Sequence, residues 1–148
     1  MHEQHRGWRG RASSAGLLIL RVLMGSAMAV HGYEKIFHGF IPKFTEGLTQ
    51  MGFPIPGVMA WLAALAEFVG GLCIVFGLGT RIAGFFVFFT MGVAFFVAHK
   101  ADPWQVKELP FLFGAVALSF IFTGGGCYSL DSLLCRHKCG DETKPENQ

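Results

Sequence analysis

Residues 58–78 read VMAWLAALAEFVGGLCIVFGL, a run whose one charge is Glu67 and which contains no proline. About 20 consecutive, mainly apolar residues are what a helix needs to cross the hydrocarbon core of a bilayer. The run lacks the period-two alternation of a barrel strand. It is therefore read as a membrane-spanning helix. Three further runs of the same kind surround it. Residues 15–35 form the first, interrupted by Arg21. Residues 82–98 form the third, uncharged and rich in phenylalanine (Phe85, Phe86, Phe88, Phe89, Phe95, Phe96). Residues 109–126 form the fourth, with Pro110 placed near the expected helix start, where its missing N–H costs little.

Composition agrees. Of 148 residues, 52% are apolar or aromatic, 20 are glycine and only 15% are charged, against about 25% charged in soluble domains. An ordinary soluble enzyme or a disordered chain does not look like this. A net charge of +2 leaves no electrostatic footprint for nucleic acid. The expected fold is all-α, an integral membrane four-helix bundle. It divides into an N-terminal segment 1–14, a membrane domain 15–133 and a polar tail 134–148. Arg6, Arg9 and Arg11 before an apolar stretch ending in Ala27-Met28-Ala29 also have the layout of a secretory signal. Arg21 inside that stretch and three later spans favour a retained helix.

Four spans put both termini on one side. That side collects Arg6, Arg9, Arg11, Arg81, Arg136, Lys138 and Lys144, and the other Lys35, Lys43, Lys100 and Lys107. Positive residues stay inside, so both termini are expected in the cytoplasm of a bacterial cell, with the domain in the inner membrane. The longest loop, 38–57, then lies outside. Its Ile41, Phe44, Leu48 and Met51 share one helical face, with Pro42 to start a short helix and Gly52, Pro54 and Pro56 to end it. Two readings stay open for it: a helix lying on the membrane surface, or a loop packed on the mouth of the bundle.

Charged residues inside a bilayer usually face the bundle interior and pair. At about 100° per residue, Leu17, Arg21, Met24, Met28, His31 and Lys35 fall within about 80° of one another. Glu34 lies off that stripe. Glu67, beside Ala63, Gly70 and Gly71, is the expected partner of Arg21, since small residues let a neighbouring helix come close. That pair is read either as packing or as part of a ligand or proton site. A second group, His31, Lys35, His99, Lys100 and Glu108, gathers at the outer ends of the spans, level with Tyr33 and Trp104. An interfacial belt accounts for lysine and tryptophan there, but less well for His31 and Glu108.

Cys73 reads as an inert core thiol. Cys135, His137 and Cys139, with Cys127, make an incomplete zinc pattern, so no metal site is assigned. A reducing cytoplasm argues against a disulfide. No dinucleotide, Walker, H-E-x-x-H or nucleophile-elbow motif is present, and no catalytic residue is assigned.

The pattern resembles the DoxX family of small four-span membrane proteins. The resemblance rests on Leu20-Arg21, on His31-Gly32-Tyr33-Glu34-Lys35, and on Glu67-Phe68-Val69-Gly70-Gly71. It continues through Gly77-Leu78-Gly79-Thr80-Arg81, Glu108 and Gly124-Gly125-Gly126-Cys127-Tyr128-Ser129-Leu130-Asp131, and covers about residues 17–133. Cys127 departs from it, standing where the family often has a basic or other polar residue. The resemblance implies an inner-membrane bundle. The family is named for a subunit linked to a terminal quinol oxidase, and a sister branch is the membrane subunit of thiosulfate:quinone oxidoreductase. A related eukaryotic branch is a membrane chaperone in receptor assembly.

Two functions are therefore expected. The first is an accessory subunit of an oxidoreductase or other quinone-linked system, with an outer pocket built from Arg21, His31, Lys35, Glu67, His99 and Glu108. Quinone is then the ligand, a soluble or membrane redox protein the partner, and oligomers are compatible with it. The alternative is a non-catalytic assembly or stress-response factor. For topology, the expectation is that Thr49→Cys is labelled from outside intact cells in a cysteine-free background and Thr143→Cys is not. The reverse pattern refutes cytoplasmic termini.

Overall fold

The computed structural model describes residues 2–134. Among these, six α-helices and no strands are found: α1 (His2–Phe37), α2 (Phe40–Gln50), α3 (Pro56–Phe76), α4 (Thr80–Val93), α5 (Trp104–Thr123) and α6 (Leu130–Leu134). A π turn, Ala94–Ala98, extends α4. Four stretches are long and apolar enough to cross a membrane: Ser13–Phe37, Pro56–Phe76, Thr80–Ala98 and Trp104–Thr123. Their outward faces are apolar, with Leu23, Ile82, Phe89, Phe96 and Phe122 among the most exposed residues. In water such a surface would be anomalous; in lipid it is the solvated one.

The spans pack in chain order, α1 on α3, α3 on α4 and α4 on α5, and α1 meets α5 through side chains such as His31 and Phe113. The core is Met24, Met28, Ile74, Ala83, Val87, Met91, Ala117 and Phe120. In a membrane, helices associate through close van der Waals contact rather than hydrophobic expulsion, and glycine makes the closest contact possible. A Cβ on Gly25 would stand 2.7 Å from the Gly71 carbonyl oxygen, and one on Gly71 would stand 2.6 Å from the Ala29 nitrogen. Gly32 abuts the Phe68 backbone in the same way. Gly70 faces the other side, toward Val87 of α4.

Two elements differ in detail from the sequence expectation. The fourth span starts at Trp104, so Pro110 lies inside α5 rather than at its first turn. Its missing N–H leaves the Val106 carbonyl without its helical donor. The 38–57 loop contains the helix α2, whose Leu48 is buried against the bundle. Ile41 and Phe44 are half-buried on the same face, while Met51 is exposed.

At the end of the bundle away from α2, Gly77 and Gly79 take left-handed φ values of 70° and 56° to turn α3 sharply into α4. The first N–H groups of α4 have no helical acceptor. Asp131 supplies one from a distant segment: Gly79 N–H donates to Oδ1 at 2.7 Å and Thr80 N–H to Oδ2 at 3.0 Å. Burial works to raise the Asp131 pKa, but these donors and the Thr80 hydroxyl hold it below the ordinary carboxylate value.

The glycine contact sets a testable scale. Gly71→Ala drives a methyl into backbone atoms that cannot yield, so overpacking of about 1–3 kcal/mol is expected, seen as a lower thermal midpoint in detergent. Gly92→Ala is the control. Nothing lies within 4 Å of its Cβ position, and alanine is the better helix former by up to about 1 kcal/mol. Equal midpoints for the two variants refute a glycine-determined crossing.

Candidate functional site

The antiparallel contact of α1 with α3 fixes which buried groups meet. Arg21 lies fourteen residues before Lys35, about 21 Å along the helix. Arg21 therefore serves the C-terminal end of α3 and Lys35 its middle. Arg21 does not pair with Glu67, which corrects the sequence expectation. Its guanidinium is held by four backbone carbonyls. Nε donates to Ile74 at 2.9 Å and Nη2 to Val75 at 3.1 Å. Nη1 donates to Gly125 and, at 3.0 Å, to Tyr128. Ile74 and Val75 end α3, where the last carbonyls lack helical donors and the helix dipole favours a cation. Arg21 thus ties α3 to the 124–129 turn.

Glu67 pairs with Lys35 instead. Lys35 Nζ lies 2.6 and 2.7 Å from the two carboxylate oxygens. The Lys35 side chain is 28% exposed and that of Glu67 3%. An ammonium carries three N–H groups, so a third remains beyond the two given to Glu67. Phe44 of α2 places its ring 5.0 Å from the same nitrogen.

The pair sits in the wall of a cavity of about 210 Å³ to which all four spans contribute. His31 and Lys35 come from α1, Glu67 from α3, Met91 from α4, and Pro110 and Phe113 from α5, with Met28, Ala94, His99 and Leu109 completing the lining. Of the expected site residues, the fold therefore brings together His31, Lys35, Glu67 and His99. Arg21 lies at the other end. Glu108 is exposed and outside the lining. The apolar part also differs from expectation. Phe85, Phe86, Phe88, Phe89 and Phe96 face outward, and Phe113 of α5, edge-on to His31 at 6.1 Å, provides the aromatic wall.

His99 enters the cavity through a backbone irregularity. Its N–H bonds the Ala94 carbonyl five residues back, at 2.9 Å, which defines a π turn. One extra residue in the turn rotates the chain beyond it by about 100° relative to a regular helix. His99 is thereby brought onto the face of α4 that carries Met91 and Ala94. Sequence periodicity carries no signal for this, nor for Pro110 lining the cavity. Nor does it give Thr80 and Asp131 their capping role, although the Gly-Thr-Arg and Ser-Leu-Asp motifs contain them.

Cys73 is free. Cys127 is disulfide-bonded, which corrects the expectation of reduced thiols. The pattern of Cys135, His137 and Cys139 lies outside the described residues. Among the described residues no cluster of three or more metal ligands is found.

The DoxX family model matches residues 16–100. The chain belongs to the DoxX family. It is 32% identical over 126 residues to CatD of Bacillus subtilis, a protein named as a candidate oxidoreductase, covering 83% of this chain and 90% of CatD. It is 32% identical over 130 residues to the inner membrane protein YqjF of Escherichia coli, covering 84% of this chain and 95% of that one. The Escherichia coli inner membrane protein YphA is 29% identical over 133 residues, with 82% and 92% covered. No solved structure matches. With four apolar spans and these relatives, this DoxX member is a multi-pass inner-membrane protein.

A double-mutant cycle checks the ion pair. Lys35→Met leaves a buried Glu67 without its cation, a loss of about 3–5 kcal/mol by the precedent of broken buried pairs. Lys35→Met with Glu67→Gln should recover part of it. Arg21→Met and Glu67→Gln, far apart, should add within about 0.5 kcal/mol. Coupling of Arg21 to Glu67, with none for Lys35, refutes this assignment.

Proposed function

We propose that this DoxX protein is an accessory membrane subunit of a quinone-linked redox system, and that its polar cavity holds a quinone headgroup. The supporting observation is the convergence of His31, Lys35 and His99 with apolar Met28, Met91, Leu109 and Phe113 around one cavity. A quinone offers two carbonyl acceptors and a flat apolar ring. Imidazole N–H and the third ammonium N–H of Lys35 are suitable donors. Methionine is polarisable and adapts its shape to a ring. The volume is below the about 300–1,000 Å³ of drug-sized sites, which suits a headgroup alone. When bound, the quinone supplies the electron chemistry; this chain's residues position it and screen it from water. Electrons pass to or from a partner protein. The name of CatD accords with this reading.

One observation favours the assembly-factor alternative: Arg21 is held by backbone carbonyls, and Lys35 and Glu67 hold each other, as in a bundle fixed only for stability. Extraction of detergent-purified protein followed by mass spectrometry separates the two. Quinone should accompany wild-type protein and fall at least tenfold in His31→Leu, while that variant remains monodisperse. Cys135→Ser and Cys139→Ser should leave it unchanged. Protein free of quinone that also fails to bind added short-chain quinone overturns the proposal.

A further inference from the structure

At the mouth of the cavity, His99 Nδ1 lies 2.7 Å from Asp102 Oδ2, with the two side chains 37% and 45% exposed. His99 also lines the cavity. The pair therefore joins the cavity to the membrane surface. Asp102 stands just before α5, where an aspartate ordinarily caps the helix through its side chain. Here the N-cap is Pro103 and no side chain caps α5; the Asp102 carboxylate is committed to the imidazole. With Nδ1–H donated to Asp102, the ring atom left for a ligand is Nε2, an acceptor in the neutral ring.

Resting on the quinone reading above, we propose that His99, oriented by Asp102, is the proton acceptor for a hydroxyl of the reduced ligand and connects that proton to water at the outer face of the bundle. In the step, the quinol O–H bond breaks and an Nε2–H bond forms. The O–H electron pair stays on oxygen, and the imidazolium charge is balanced by Asp102. The step is a proton transfer and consumes no oxidant.

The ionisable groups around His99 are His31 and Lys35 of α1 and Glu67 of α3 across the cavity. On its own segment are Lys100 and Asp102. From α5 come Lys107, whose Nζ donates to the Lys100 carbonyl at 2.7 Å, and Glu108. Lys35 and Glu67 are paired with each other, and His31 is the other imidazole in the lining. The experiment must therefore separate the two histidines.

The probe is duroquinol, kept reduced under argon, titrated calorimetrically into the full-length protein in detergent between pH 5 and 8.5. Protonated His99 has no acceptor to offer, so Kd should rise toward acid pH, and His99→Gln should remove that dependence. Asp102→Asn takes away the anion that anchors the ring, so affinity at pH 8.5 should fall at least about threefold. A pH dependence that persists in His99→Gln overturns the dyad. Unchanged affinity in Asp102→Asn removes the aspartate from it. In either case quinol still binds and the cavity assignment stands. Wild-type protein that binds no duroquinol at any pH overturns both proposals.

Discussion

The close approach of α1 and α3 governs where every buried charge goes. Gly25, Ala29 and Gly32 meet Gly71 and the Phe68 backbone at separations that exclude a side chain. Backbone against backbone admits no sliding by one turn without collision. That register sets Arg21 beside the end of α3 and Lys35 beside its middle. A shift of one turn, about 5.4 Å, would part both from their partners and strand charge in hydrocarbon. The glycines contribute little attraction of their own. Their effect is to make a single alignment the one in which the ionic groups are satisfied.

The two ends of the bundle then solve the same problem differently. Arg21 is neutralised by no carboxylate in direct contact. Carbonyl dipoles at the end of α3 and in the 124–129 turn take its donors, and Asp131, bound to the start of α4, adds its field from nearby. This end is capped by Asp131 at the start of α4. At the other end the charges form a direct pair, Lys35 retains partial exposure, and space remains beside them. The cavity lined by ionisable groups thus lies at the Lys35 end, while the Arg21 end ties α3 and α4 to the 124–131 segment.

The four spans are legible from residues 58–78 outward because a bilayer imposes length and apolarity on any helix that crosses it. The buried stripe from Leu17 to Lys35 is legible too, since helical periodicity alone places those residues on one face. The Arg21–Glu67 pairing fails because position within an apolar run is a poor guide to depth: such runs do not mark where two helices align. Gly25 against Gly71, and Gly32 against the Phe68 backbone, carry that alignment in the sequence, as the small residues allowing closest approach. Glu108 joins the expected pocket only through its place at a span's start. α5 starts at Trp104 and accommodates Pro110 in its interior, which local preference argues against.

His99 shows why the remainder of the site is hidden from sequence. A π turn is a choice between two hydrogen-bonding patterns of the same residues, and Ala94–Ala98 has nothing in its composition that selects one. What selects it is tertiary: the fifth-neighbour bond brings His99 round to the cavity. Irregular backbone at membrane depth is tolerated only where protein or a water-filled cavity receives it, and π turns recur at functional sites. Here the π turn and the interior Pro110 both lie beside the same cavity. Each alone lowers the regularity of packing. Their coincidence at the end with the histidines, and the arginine and capping contacts at the other, place the departures from regular helix packing where a ligand would need room.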